Sequence, residues 1–409
     1  MKTVAIICEY NPFHTGHAYH IRETKRMVTV KTGEDCAVLC VMSPSFVQRG
    51  DTAVCDKFSR AEMAVRCGAD LVLELPTPYA MSTAEMFASG AVELIRKTGV
   101  ADFLSFGSEC GDLSALSEAA AVLASDAFSD TVKQYLTGGI SFASARQLAL
   151  EQLSPQCKGI LDDPNNTLAV SYLMAMTAQG ASFAPITVTR SGQPHDNDTF
   201  VSEGTHPSAS AVRKALYEGD TDRALSMMPP QAAEVLAREI ARGRAPVSFD
   251  ALEPALLSYL RRLTPADYAA LFDISEGLEN RLYDAARAAT TFDDVCGLAK
   301  SKRYSYARIR RLYLAAFLEM RKELYNGIPY ARVLAFSDVG RKLLKTISQN
   351  FPVLTKTAAF TSLDERGQKM FQFESLCTDL YAMAFPGFSE RRAGLDFTVT
   401  PKYIMRFEA

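Results

Sequence analysis

The first half of the chain alternates short apolar runs with amphipathic stretches, and that alternation leaves few folds open. Val4–Cys8, Ala37–Met42, Leu71–Leu75, Phe103–Phe106 and Ile186–Thr189 read as strands. Helical stretches near His17 and at Phe58–Cys67, Ser82–Arg96 and Ser208–Tyr217 separate or follow them. Continuous apolar strands joined by helices predict a mostly parallel sheet covered on both faces. Before the fifth strand, Leu113–Ala124, Thr131–Leu136, Phe142–Leu153 and Thr167–Ala178 predict a helical insertion over about residues 112–180. From about Asp220 strand runs nearly vanish, and Ile309, Leu312, Tyr313, Ala316, Phe317 and Met320 follow helical spacing. Pro229-Pro230 and the stretch from Gly243 to Pro246 punctuate the change. At 409 residues the chain is long for one core. Two domains are expected, an α/β domain over 1–220 and a mainly α-helical C-terminal domain over 221–409.

Composition narrows the class. The chain is 48% apolar, and no uncharged apolar run reaches the roughly 18 residues a membrane span needs. Glu9 interrupts the N-terminal apolar run early, so a strand is expected there rather than a signal peptide, and the expected compartment is cytoplasmic. The nine cysteines include no C-x-x-C pair, so neither zinc nor disulfides are expected. A net charge of −3 argues against a general nucleic-acid coat and leaves room for a local basic face.

The chemistry is concentrated after the first strand, in Glu9-Tyr10-Asn11-Pro12-Phe13-His14-Thr15-Gly16-His17. H-x-G-H here sits at a strand-to-helix turn. A helix starting there aims its free N–H groups and positive dipole end at the carboxyl edge of the sheet, where open α/β folds bind ligands. Gly16 lets a nucleotide lie against the backbone. His14 and His17 are placed to hold phosphate oxygens as charge builds on them during displacement at phosphorus. Three of the five histidines fall within residues 14–20, and His20 follows one turn later, either as a ligand or as a helix-face residue.

H-x-G-H in this setting resembles the nucleotidylyltransferase superfamily, with its Rossmann-like (HUP) fold. A closer resemblance, to the tRNA(Met) cytidine acetate ligase family, rests on strings along nearly the whole chain. These include the motif itself, Phe46-Val47-Gln48-Arg49-Gly50, Gly68-Ala69-Asp70-Leu71-Val72-Leu73-Glu74-Leu75-Pro76 and Phe106-Gly107-Ser108-Glu109. Pro164-Asn165-Asn166, Ser208-Ala209-Ser210-Ala211-Val212-Arg213 and Glu276-Gly277-Leu278-Glu279-Asn280-Arg281 follow in order. The resemblance implies an enzyme that converts acetate and ATP, with Mg2+, to acetyl-adenylate and pyrophosphate. It implies acetyl transfer to N4 of the wobble cytidine, position 34, of elongator tRNA(Met). No membrane or protein partner is implied.

It also implies a site. His14 and His17 are the catalytic candidates. The nucleotide contacts are Ile7, Cys8, Glu9, Tyr10, Asn11, Pro12, Phe13, His14, Thr15, Gly16, His17, Ala18, Tyr19 and His20, then Gly107, Asn165 (with Asn166 as the alternative) and Arg190. Gln48, Arg49, Lys57, Ser208 and Arg213 are candidates for phosphate or acetate contacts, and Arg60 reads as a surface charge of its helix. Lys300, Lys302, Arg303, Arg308, Arg310 and Arg311 form a basic stretch for tRNA, with Tyr304, Tyr306 and Tyr313 to stack on bases or to pack. The chain departs from the family pattern at Pro44-Ser45 and at Ser171, which bears on the acetate pocket. A small-molecule adenylyltransferase fits H-x-G-H equally well but needs no long helical half. A non-catalytic RNA-binding protein would not need the intact motif.

Overall fold

In the computed structural model, the described residues are 1–138, 140–190, 207–275, 277–301 and 303–405. Five strands form the parallel centre: β1 (Lys2–Cys8), β2 (Cys36–Met42), β3 (Leu71–Glu74), β4 (Phe103–Ser108) and β5 (Ala184–Thr189). Their spatial order is β3-β2-β1-β4-β5, with Val4 opposite Val38 on one side and Phe103 on the other. The expected Rossmann-like α/β class is what the fold shows. Every residue of β2 after Cys36 is buried, as continuous apolar composition requires of a strand covered on both faces.

Helices α1 (Thr15–Thr32) and α2 (Lys57–Arg66) share one apolar cluster with the Val4 and Ile6 side of β1. Helix α3 (Ala84–Thr98) shares the cluster of the opposite face. The insertion supplies α4 (Leu113–Leu123), α5 (Asp126–Thr137), α6 (Phe142–Leu153) and α7 (Pro164–Ala178), with α7 against α3 on that same face. Helix α8 (Ala209–Tyr217) returns to the α1 side.

The second half is mainly helical and has its own core, in which α9 (Tyr306–Phe317) is central. It also gives three strands to the sheet, which the sequence pattern did not predict. Strand β6 (Ala331–Ser337) runs antiparallel to β3, and β8 (Lys402–Ile404) and the short β7 (Val353–Leu354) pair parallel to β6. A run of seven residues interrupted by Arg332 carries no period of two, because both of its faces are covered. Arg332 itself is buried against Asp396.

The halves are also joined by buried charge. Lys57 is 1% exposed, and its ammonium lies 2.7 Å from Glu74 and 3.0 Å from Asp396. Burial works to lower the Lys57 pKa, and the two carboxylates outweigh it and hold the ammonium charged. Glu374, on α10 (Glu365–Ala382), accepts from the backbone N–H and hydroxyl of Thr77.

Candidate functional site

The carboxyl ends of β1 and β4 open into a cavity of about 450 Å³. Its floor is set by the turn after β1. Tyr10 takes a left-handed backbone (φ 46°), unusual for a residue with a side chain. This turns its ring under the motif, edge-on to Phe13 and His17 with centroids 4.8 Å from each. Asn11 accepts from the Val54 N–H through its side chain at 2.7 Å and from Arg213 Nη1 through its carbonyl at 2.7 Å.

His14 is the N-cap of α1 rather than a member of its first turn. Its Nδ1 accepts from the Gly16 N–H at 3.0 Å, and its own N–H donates to His17 Nδ1 at 3.2 Å. The two imidazoles thus form a reciprocal capping box and lie with centroids 3.7 Å apart. A Nδ1 that accepts a backbone proton leaves the neutral ring's proton on Nε2. Both rings are therefore set in one tautomer, as donors through Nε2, by the start of the helix itself.

Around them the cavity is lined by Ile7, Cys8, Glu9, Tyr10, Asn11, Gly16, Tyr19 and His20 from the motif segment. Gly107, Asn165, Arg190, Gln48, Arg49, Ser208 and Arg213 also line it. Pro12, Phe13, Thr15 and Ala18 do not; Phe13 is fully buried beneath the motif. Of the asparagine pair, Asn165 lines the cavity and accepts from Arg190 Nη1 at 3.2 Å. Asn166 is 1% exposed and uses its Oδ1 on the N–H groups of Glu109 and Cys110. Gly107 lies under Arg190: a Cβ there would sit 3.2 Å from Arg190 Cγ. Ser208 caps α8 through the Ala211 N–H, presenting a second helix start to the cavity.

His20 bonds through Nε2 to the Ser105 hydroxyl at 3.0 Å. Burial, then the charge of Arg190, pushes its pKa down to about 4. An unfolded chain takes this proton near the ordinary 6.5, so stability is expected to fall as pH drops from about 6.5 toward 4. Urea midpoints across that window should fall less for His20→Asn; equal slopes would remove His20 as the cause.

Several expectations are corrected. Lys57 does not reach the cavity; it is committed to Glu74 and Asp396 beneath it. Arg60 is not a surface charge. It is fully buried and donates to the carbonyls of Cys55, Glu9, Ser43 and Pro44, clasping the loops after β1 and β2 together. Ser171 turns its hydroxyl back to the Thr167 carbonyl at 2.9 Å and does not line the cavity.

The basic stretch is divided. Arg310 Nε donates to the Gly50 carbonyl at 2.6 Å, and Arg311 Nη1 lies 3.5 Å from the Gln48 carbonyl. Gly50 (φ 72°) meets α9 so closely that a Cβ would stand 3.1 Å from the Arg311 backbone nitrogen. These two arginines hold the turn joining the paired strands Phe46–Val47 and Asp51–Thr52, which carries Gln48 and Arg49, over the cavity. Arg308 is bound to Asp273 at 3.0 Å. Tyr313 and Tyr304 are buried, and Tyr306 donates to Asp293, so all three pack. Lys300 and Arg303 are exposed, whereas Lys302, like Glu276, lies outside the described residues. Arg310→Glu with Arg311→Glu is therefore expected to slow ATP-dependent chemistry, not only to weaken RNA binding. A double variant that activates its carboxylate at the parent rate would return both residues to an RNA-facing role.

Sequence reasoning missed the cavity's apolar wall. Ala84 and Phe87 on α3, Phe106 at the end of β4, and Leu168 and Tyr172 on α7 all line it. Their segments were read as helices and a strand; that they meet follows from topology alone.

A family model for HIGH nucleotidyl transferases matches residues 1–395. The chain is 36% identical over 406 residues to the tRNA(Met) cytidine acetate ligase of Thermoanaerobacter sp. (strain X514), covering 97% of this chain and 98% of that one. It is 37% identical over 425 residues to the protein of that name from Syntrophomonas wolfei, covering 98% and 99%. The crystal structure of apo Thermotoga maritima TmcAL superposes with a TM-score of 0.92 at 31% identity, covering 99% of this chain and all of that one. The same protein bound with alpha-thio ATP gives 0.89 at 30% identity, with the same coverage. Matches of this extent, on a fold whose first helix is capped by the H-x-G-H imidazoles, mean that the chain belongs to the HIGH nucleotidyl transferases and, among them, to the tRNA(Met) cytidine acetate ligase family.

Proposed function

We infer that this enzyme activates acetate with ATP and acetylates N4 of the wobble cytidine, position 34, of elongator tRNA(Met). The observation that carries the chemistry is the pair of imidazoles fixed as Nε2 donors at the N-terminus of α1, facing a cavity that also holds Arg190 and Arg213. An acetate oxygen attacks the α-phosphorus, the bond to the β-phosphate oxygen breaks, and pyrophosphate leaves with that bond's electrons. His14 and His17 donate to the oxygens on which charge accumulates, and pre-set donors cost no reorganisation at that moment. The Ser208-capped start of α8 and Arg213, which line the same cavity, are proposed to meet the leaving phosphates.

In the second step the cytidine amine attacks the acetyl carbonyl, AMP leaves, and the amine proton passes to solvent or phosphate. The acyl group is already activated, so the protein's task is to hold the amine against it. Magnesium is proposed to arrive with the triphosphate; among the described residues no group of three or more His, Cys, Asp or Glu is placed to hold an ion. Lys300 and Arg303 remain the exposed basic residues proposed to meet the tRNA backbone. Among the described residues no helix is long and apolar enough to cross a membrane, and the cytoplasm is the proposed compartment. The test is ATP–pyrophosphate exchange with and without acetate, followed by nucleoside mass spectrometry of treated tRNA. Exchange that ignores acetate, or tRNA without N4-acetylcytidine, would overturn this reading.

A further inference from the structure

The cavity crosses the edge of the sheet. His14, Ser208 and Arg213 stand on the side covered by α1 and α8, whereas Phe87, Leu168 and Tyr172 come from the helices of the opposite side. The two sides differ in chemistry. The first is polar, with imidazoles, guanidinium groups and helix N–H groups beside Glu9 and Asn11. The second is mostly hydrocarbon, with the Tyr172 hydroxyl set among the rings and Asn165 and Thr167 at the start of α7. Tyr172 is 5% exposed, yet among the described residues its hydroxyl has no hydrogen-bond partner. Its ring packs against Phe106 and Phe87, with centroids 5.9 Å and 6.4 Å away. Tyr172 lines the cavity, so this hydroxyl is free of the fold's own hydrogen bonds and can donate to a ligand held there.

We propose that Phe87, Phe106, Leu168 and Tyr172 form the subsite for the carboxylate substrate, with the Tyr172 hydroxyl donating to a carboxylate oxygen and the aromatic rings enclosing a short alkyl group. This rests on the acetate-activating reading. Two features fit a carboxylate substrate. Burial pushes the Tyr172 phenol well above its ordinary pKa, so it stays a donor throughout the working range. Glu9, whose negative charge Tyr172 feels, is itself held by the Gln48 N–H at 2.9 Å, which leaves the phenol to the ligand. Such a subsite would discriminate by size, since each added methylene against fixed rings is worth about 10- to 200-fold.

Tyr172→Phe removes only the hydroxyl and is expected to leave thermal stability unchanged. In ATP–pyrophosphate exchange it should raise the KM for acetate about 10-fold, the loss of one hydrogen bond to a charged group, with the KM for ATP unaltered. Phe87→Ala should narrow the preference for acetate over propionate and butyrate by about 10-fold or more. A raised KM for ATP with normal acetate dependence would place Tyr172 on the nucleotide and overturn the proposal, as would no change in either constant. Wild-type enzyme lacking any acetate-dependent exchange would instead refute the functional reading beneath it.

Discussion

Replacing His14 or His17 by alanine is expected to slow the proposed acetyl-adenylate formation by about 10²- to 10³-fold each, the usual cost of losing one fixed donor to a developing oxyanion. His14→Ala carries a second penalty. Its Nδ1 caps α1, so alanine also leaves the Gly16 N–H without its acceptor, worth about 1 kcal/mol. His14→Asn separates the two effects, since asparagine is a good N-cap yet cannot place a donor where the Nε2 proton stands. It should restore the denaturation midpoint and leave pyrophosphate exchange as slow as in the alanine variant. An asparagine enzyme exchanging at the parent rate would show that the imidazoles serve α1 and not the phosphate.

The largest loss of stability is expected at Lys57. Lys57→Met fills the space but strands the carboxylate of Glu74, 3% exposed at the side chain, and leaves Asp396, 2% exposed, with Arg332 alone. Removing one partner of a buried ion pair costs about 3–5 kcal/mol, because the remaining charge stays buried and uncompensated. That is a large share of the roughly 5–15 kcal/mol a typical protein has in total. Asp396 also receives Arg332 at 3.1 Å, so the loss should spread to β6 and the strands beside it. Urea unfolding reads the effect directly. Adding Glu74→Gln to Lys57→Met should recover part of it, since one stranded charge is then gone. A single variant within about 0.5 kcal/mol of the parent, the range of ordinary surface substitutions, would mean that the ammonium does not hold the halves together.

The fate of Lys57 and Arg60 shows where sequence reasoning stops. Both lie on an amphipathic stretch with charged spacing that reads as a solvated face. Yet α2 is packed on both sides, by the sheet and by the segment Pro230–Ala241. The partners that make their burial tolerable are backbone carbonyls in Arg60's case and a carboxylate 339 residues away in Lys57's. Arg310 and Arg311 failed in the opposite direction. A dense basic run suggested RNA, but Arg310 sits over the Phe249 ring at 4.2 Å and is bonded to the Gly50 turn.

The sequence alone determined the five parallel strands, their joining helices and the place of the H-x-G-H mouth proposed to hold phosphate. Each of these depends on a local period, a glycine or a histidine spacing within one strand–turn–helix, so neighbouring residues carry all the information. Only the tertiary structure decided that a strand from residue 331 onward would extend the sheet, that the two histidines would cap each other, and that α3 and α7 would close the cavity with an apolar wall. Burial is a sum over segments remote in the chain. Whether a charge is solvated or enclosed, or a tyrosine is filler or ligand, is therefore undecided until those segments meet.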